Sequence, residues 1–161
     1  MVSIDSSTKK TGMALYIDGK LSDYGLINLS KETCSTDERI NIMGKKIIQV
    51  LNSWQPTIIY IEEPQGRGSN VSLVKKLAEL IGFVRAWSVI NDSYIEEVTP
   101  SVWRKYLGMQ QGKKKREELK QMSMNHVKET YGIDVGDDVA DAICIGSAMT
   151  NRYSKEINCE N

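Results

Sequence analysis

Val2-Ser3-Ile4-Asp5-Ser6-Ser7-Thr8-Lys9-Lys10-Thr11-Gly12-Met13-Ala14-Leu15-Tyr16-Ile17-Asp18-Gly19 is the stretch on which the fold turns. Val2 to Asp5 opens with alternating apolar residues, and Gly12 to Ile17 is a second short apolar run, so two strands are predicted. Asp18-Gly19 between them and the next run is a hairpin signal, because both central positions of a tight two-residue turn need positive φ. Leu21 to Leu29 supplies the third strand of an antiparallel meander.

Outward from that meander the period changes. Ser35 and Glu38 have capping-box spacing, and Ile40, Met43, Ile47, Val50, Leu51 and Trp54 recur as one helical stripe. Pro56 stops this helix and leads into Thr57-Ile58-Ile59-Tyr60-Ile61-Glu62, a β-rich run that reads as buried. Gly66 and Gly68 mark a loop before a long helix from about Val71 to Ile90, and Tyr94 to Val98 is a fifth strand. Thr99-Pro100 opens another helix, with Thr99 as cap and Pro100 in the first position, and Gly108 ends it. A polar helix is predicted over Lys113–Thr130, a break at Gly132, and a last helix over Gly136–Arg152. The expected class is α/β, a five-stranded mixed sheet flanked by helices in one domain over residues 1–152, with 153–161 a frayed tail.

Composition narrows the function. The chain has 161 residues, enough for a single sizeable core, and its formal net charge of zero means that affinity for a polyanion must come from local clusters of Lys and Arg. Cys34, Cys144 and Cys159 lack metal-ligand spacing, and with His126 the only histidine there is no zinc set; free thiols in a reducing compartment are expected. No apolar stretch is long enough to span a bilayer, so a cytoplasmic protein is expected.

The acidic residues sit at awkward places. Asp5 ends a strand predicted to be central, where an unpaired buried carboxylate costs several kcal/mol; an Asx-turn into Ser6-Ser7 is the plain alternative. Glu62 ends another buried-looking strand beside Glu63, and adjacent strand residues face opposite ways, so at most one shares a site with Asp5. Asp138 and Asp141 stand three apart on one face of the last helix. Asp137 fits an N-cap and the helix dipole favours acids there, but neither accounts for Asp141 among Ala140, Ala142, Ile143 and Cys144. A shared cation would. An all-oxygen, strongly negative set suits Mg²⁺ or Mn²⁺, and two such ions serve phosphodiester hydrolysis by activating water and stabilising the leaving oxygen.

Three segments in order then resemble the motifs of the RuvC-type Holliday-junction resolvases. Ile4-Asp5-Ser6-Ser7-Thr8-Lys9-Lys10-Thr11-Gly12 is similar to the first, an Asp followed after a short turn by Thr-Gly. Tyr60-Ile61-Glu62-Glu63 is similar to the second, whose first acid is the catalytic one, and Asp138-Val139-Ala140-Asp141-Ala142 to the third. The resemblance implies an RNase H-like fold over residues 1–152. It implies an endodeoxyribonuclease in which Asp5, Glu62, Asp138 and Asp141 hold two Mg²⁺ ions, with Mn²⁺ able to substitute, and which nicks four-way junctions as a homodimer. Bacterial members have Pro-Gly where this chain has Ser6-Ser7, and an aromatic wedge where it has Pro64-Gln65-Gly66-Arg67-Gly68. Thr99-Pro100-Ser101-Val102-Trp103-Arg104 with Leu107-Gly108 looks more like the viral branch, implying a phage-encoded protein in a bacterial cytoplasm.

Branched DNA is the implied partner. Lys113, Lys114, Lys115 and Arg116 form the densest basic cluster, with Arg104 and Lys105 near in sequence, and these are the expected phosphate contacts. Arg67, Lys75 and Lys76 are weaker candidates. The helix 71–90 carries Leu73, Val74, Leu77, Leu80, Ile81, Val84 and Trp87 over more than one narrow stripe, so one face is expected on the sheet and another on a second copy. Other readings are an RNase H-fold nuclease for RNA or an RNA–DNA hybrid, a junction-binding protein without catalysis, and a sugar-kinase-like nucleotide fold. The last lacks a second glycine-rich phosphate loop.

Overall fold

In the computed structural model, residues 1–64, 71–109, 112 and 114–159 are described, with backbone alone from 154 onward. The meander forms as the alternation and the Asp18-Gly19 turn require. β1 (Val2–Asp5), β2 (Lys10–Ile17) and β3 (Lys20–Asn28) pair antiparallel, with Asp18 and Gly19 both at positive φ (49° and 74°). β2 starts at Lys10 rather than Gly12, because Ser7 and Thr11 knit the intervening turn. Ser7 Oγ donates to the Lys10 carbonyl at 2.6 Å and accepts from the Lys10 N–H at 3.0 Å. The Ser6-Ser7 turn is thus closed by side-chain hydrogen bonds.

β4 (Ile58–Glu62) and β5 (Tyr94–Val98) add in parallel, giving the sheet order β3-β2-β1-β4-β5. α1 (Thr36–Trp54) begins at the Ser35–Glu38 capping box, and α2 is Val71–Ile90. These two helices cover one face of the sheet, burying Val2, Ile4, Ile59 and Ile61 against Met43, Ile47, Leu80 and Val84. The other face meets α3 (Pro100–Tyr106), α4 (Arg116–Tyr131) and α5 (Asp137–Cys159), whose core holds Tyr16, Tyr60, Val98, Trp103, Val127 and Ile143. The alternation along β1 and β4 therefore sends Ser3 and Tyr60 to the α5 side, and Asp5 and Glu62 with them.

Several expected boundaries move. α4 begins at Arg116, not Lys113: the Lys115 N–H donates to Glu118 Oε2 at 2.6 Å, so Glu118 satisfies the helix start and the lysines precede it. Thr99 occupies the cap position of α3, but its hydroxyl bonds Ser101 Oγ at 3.0 Å and caps nothing. Asp137 is the first residue of α5, not its cap. α5 runs to Cys159, past the Arg152 end expected for it, because Asn151 to Cys159 contains no glycine or proline to break it. Cys34 and Cys144 are free thiols. Among the described residues, no helix is long and apolar enough to cross a membrane.

Candidate active site

Parallel register brings the first two acids together. Ser3 pairs with Tyr60 and Ile4 with Ile61, so one step further Asp5 stands beside Glu62 at the carboxyl ends of β1 and β4. α5 supplies the rest by lying unusually close to the sheet. Ser3 Oγ donates to the Ala142 carbonyl at 2.7 Å, inside the core. At the helix start, a Cβ built on Gly12 would fall 2.0 Å from the Asp138 carbonyl oxygen. Only glycine allows β2 and the first turn of α5 to approach this way, and that approach carries Asp138 and Asp141 to the strand ends.

The electrostatics show how crowded this end of the sheet is. Burial, then the Glu62, Asp141 and Asp138 carboxylates, hold the Asp5 carboxyl well above the usual carboxylate range. Burial pushes Glu62 up to about 7, against a hydrogen bond from Trp103; Asp141 adds to the rise, and the Arg104 and Arg116 guanidinium groups oppose it. Burial also raises Asp141, against a hydrogen bond with Ser123, and raises Asp138, aided by Asp137 and opposed by Lys10 and Lys120. Asp137 differs. Its ion pair with Lys120 draws its carboxyl down, so it has a counter-charge of its own. Lys10 Nζ is 3.9 Å from Asp138 Oδ2.

The carboxyls of Asp5, Glu62, Asp138 and Asp141 are all raised, each chiefly by burial, and Asp5 by the other three as well. Asp141 Oδ1 is buried without a hydrogen-bond partner, a costly state for a carboxylate oxygen that a bound cation would relieve. Among the described residues no group of three or more His, Cys, Asp or Glu side chains is placed so that it could hold a metal ion. The donor chemistry nonetheless fits a hard divalent ion: four carboxylates, no sulfur or imidazole, and one orphaned oxygen.

Of the two adjacent glutamates, Glu62 is the one on the Tyr60 face beside Asp5. Arg104, an expected phosphate contact, is half-buried at the site, its Cζ 4.4 Å from the Trp103 ring centroid. Lys105, Lys114, Lys115 and Arg116 are exposed, and Arg116 is near enough to Glu62 to act on it. Lys113 and residues 65–70, including Arg67, lie outside the described residues. Lys75 is exposed on α2, whereas Lys76 is engaged by Asp37 and Glu79.

Residue types alone did not reveal Trp103, fully buried, whose Nε1–H donates to Glu62 Oε2 at 2.9 Å. A tryptophan four residues into a Thr-Pro helix start could have been flagged as needing an acceptor, but the acceptor is chosen by the β4–β5 register, a non-local pairing. Lys10 was likewise visible only as a charged turn residue.

No protein-family model matches the sequence, and no curated protein sequence matches it significantly. Solved structures do match. Thermus thermophilus RuvC in complex with a Holliday-junction substrate superposes with a TM-score of 0.74 at 16% identity, covering 96% of each chain. Fowlpox virus resolvase, solved with substrate Holliday-junction DNA, gives 0.61 at 14% identity over 94% of this chain and 97% of that one. The yeast mitochondrial Holliday-junction resolvase Ydc2 gives 0.60 at 15% identity over 95% of this chain and 78% of that one. Over nearly its whole length, therefore, the chain has the RNase H-like fold of RuvC and the related Holliday-junction resolvases, as its three acidic motifs implied.

Proposed function

We propose that this chain is a metal-dependent, structure-selective endonuclease that cleaves four-way junctions and related branched DNA. The observation that carries the reading is the convergence of four buried or half-buried carboxylates, one with an orphaned oxygen, at the strand ends of a resolvase fold. Asp5, Glu62, Asp138 and Asp141 would hold two Mg²⁺ ions, with Mn²⁺ as a substitute. Bound there, such ions activate the attacking water and stabilise the leaving 3′-oxygen. The protein's own part is to keep the carboxylates ionised and aligned, with the Arg104 charge beside them and Asp137 neutralised by Lys120.

Lys113, Lys114, Lys115 and Arg116 lead into α4 and, with Lys105, would contact backbone phosphates next to this site. Replacing Lys113, Lys114 and Lys115 together with Ala is expected to reduce the slope of log affinity for a junction against log salt by about 3. An unchanged slope would place the DNA elsewhere.

A homodimer through α2 is part of the proposal. Leu77, Leu80, Ile81, Val84 and Trp87 all face this chain's own core. The outward surface is instead formed by Val71, Ala78, Gly82, Ala86 and Val89, small or apolar and all exposed. A Cβ on Gly82 meets nothing within 4 Å. Gly82→Glu should therefore fold normally and convert a dimer to a monomer in sedimentation equilibrium; a wild-type monomer at micromolar concentration would refute the dimer.

A further inference from the structure

Glu62 has a flexible side chain at the open end of a strand, and something must fix its rotamer if it is to act as a ligand. The β4–β5 register sets Glu62 opposite Val98, and the Glu63 N–H donates to the Val98 carbonyl at 3.0 Å. The chain turns at Thr99 directly into α3, so Trp103 comes to lie beside the Glu62 carboxylate. The indole is fully buried among Tyr60, Val98, Val139 and Ile143, so its N–H direction is set by packing. It donates and cannot accept, and it adds no charge. A lysine at this place would hold the carboxylate equally well but would neutralise it and compete with a cation. Arg104 lies over the Trp103 ring, its Cζ 4.4 Å from the centroid, while the ring edge carries the N–H to Glu62.

We propose that Trp103 is a positioning residue for Glu62, clipping Oε2 so that Oε1 is presented to the divalent ion. This inference rests on the metal-nuclease reading of the four carboxylates, and deepens it. It assigns α3 a part in metal binding that none of the acidic motifs contains.

The test is Mn²⁺ binding to the whole protein without DNA, followed by electron paramagnetic resonance. Trp103→Phe keeps the ring and removes the N–H. It is expected to weaken Mn²⁺ binding about tenfold, the usual scale for losing a hydrogen bond to a metal ligand. Unchanged Mn²⁺ affinity, or a wild-type chain that binds no Mn²⁺, would overturn the proposal. Where Trp103→Phe does not fold, ¹⁵N-labelled wild-type protein carries the test. The indole N–H signal moved by Glu62→Gln must be the one that Mg²⁺ also moves, while those of Trp54 and Trp87 stay; a Mg²⁺-insensitive signal overturns it. The two readings separate cleanly. Trp103-dependent Mn²⁺ binding in a chain that cuts no branched DNA keeps the clip and removes the nuclease. Junction cleavage with Mn²⁺ binding indifferent to Trp103→Phe does the reverse.

Discussion

Asp5→Asn is expected to lower cleavage of branched DNA by at least about a thousandfold, roughly 4 kcal/mol of barrier, while junction binding in the absence of metal persists. The same change is expected to raise the melting temperature of the metal-free protein. Asp5 and Glu62 both have carboxyls raised above their ordinary values, Glu62 from 4.5 to about 7. A group whose folded pKa is raised binds its proton better in the folded state. Its contribution to stability is full below the unfolded value and is lost as pH rises through the folded one. The metal-free protein should therefore lose stability between pH 4.5 and about 7, the window set by Glu62. Asn at position 5 removes one of the crowded charges, keeps the shape, and should raise the melting temperature at pH 8. Calorimetry in EDTA at pH 5 and pH 8 measures both effects. A lower melting temperature for Asp5→Asn, or a wild-type protein that gains stability over this range, would mean that the carboxylates do not crowd one another.

Gly12→Ala is expected to disable the protein without touching an acid. Its added methyl would lie 2.0 Å from the Asp138 carbonyl oxygen and 2.5 Å from the carbonyl carbon, both backbone atoms that cannot swing away. β2 and α5 must separate, and Asp138 and Asp141 withdraw from Asp5 as they do. Overpacking of this kind costs about 3 kcal/mol, a fall of roughly 6–12 °C in melting temperature. Cleavage should fall with it to the level of Asp5→Asn. Gly25→Ala is the control, since Gly25 sits on β3, next to β2, with nothing within 4 Å of an added Cβ. A wild-type melting temperature for Gly12→Ala would show that α5 does not depend on this close approach.

The Thr-Gly of the first motif thus has a physical reason that the sequence does not state. Gly12 reads locally as the start of a strand; its need for no side chain arises from Asp138, more than a hundred residues away. What was legible was what depends on near neighbours: the alternation in β1, the Asp18-Gly19 turn, the Ser35–Glu38 cap, and the misfit of Asp141 among small apolar residues. Face assignment was legible too, because period-2 geometry puts Tyr60 and Glu62 on one side. Contacts set by tertiary register were not. The Trp103–Glu62 bond depends on how β5 pairs with β4, and the stacking of Arg104 on Trp103 depends on how the short α3 packs. In α2 the apolar residues spread widely because Leu77 to Trp87 pack into the core shared by the sheet and α1, while Val71, Leu73, Val89 and Ile90 stay exposed.

The most direct measurement is cleavage by the purified wild-type chain, with Mg²⁺, of a labelled four-way DNA junction set against a linear duplex and an RNA–DNA hybrid of the same sequence. The account predicts nicks in the junction strands near the branch point, none in the linear duplex, and no cleavage in EDTA. Cleavage of the hybrid in preference to the junction, or cutting that Asp5→Asn leaves undiminished, would contradict it.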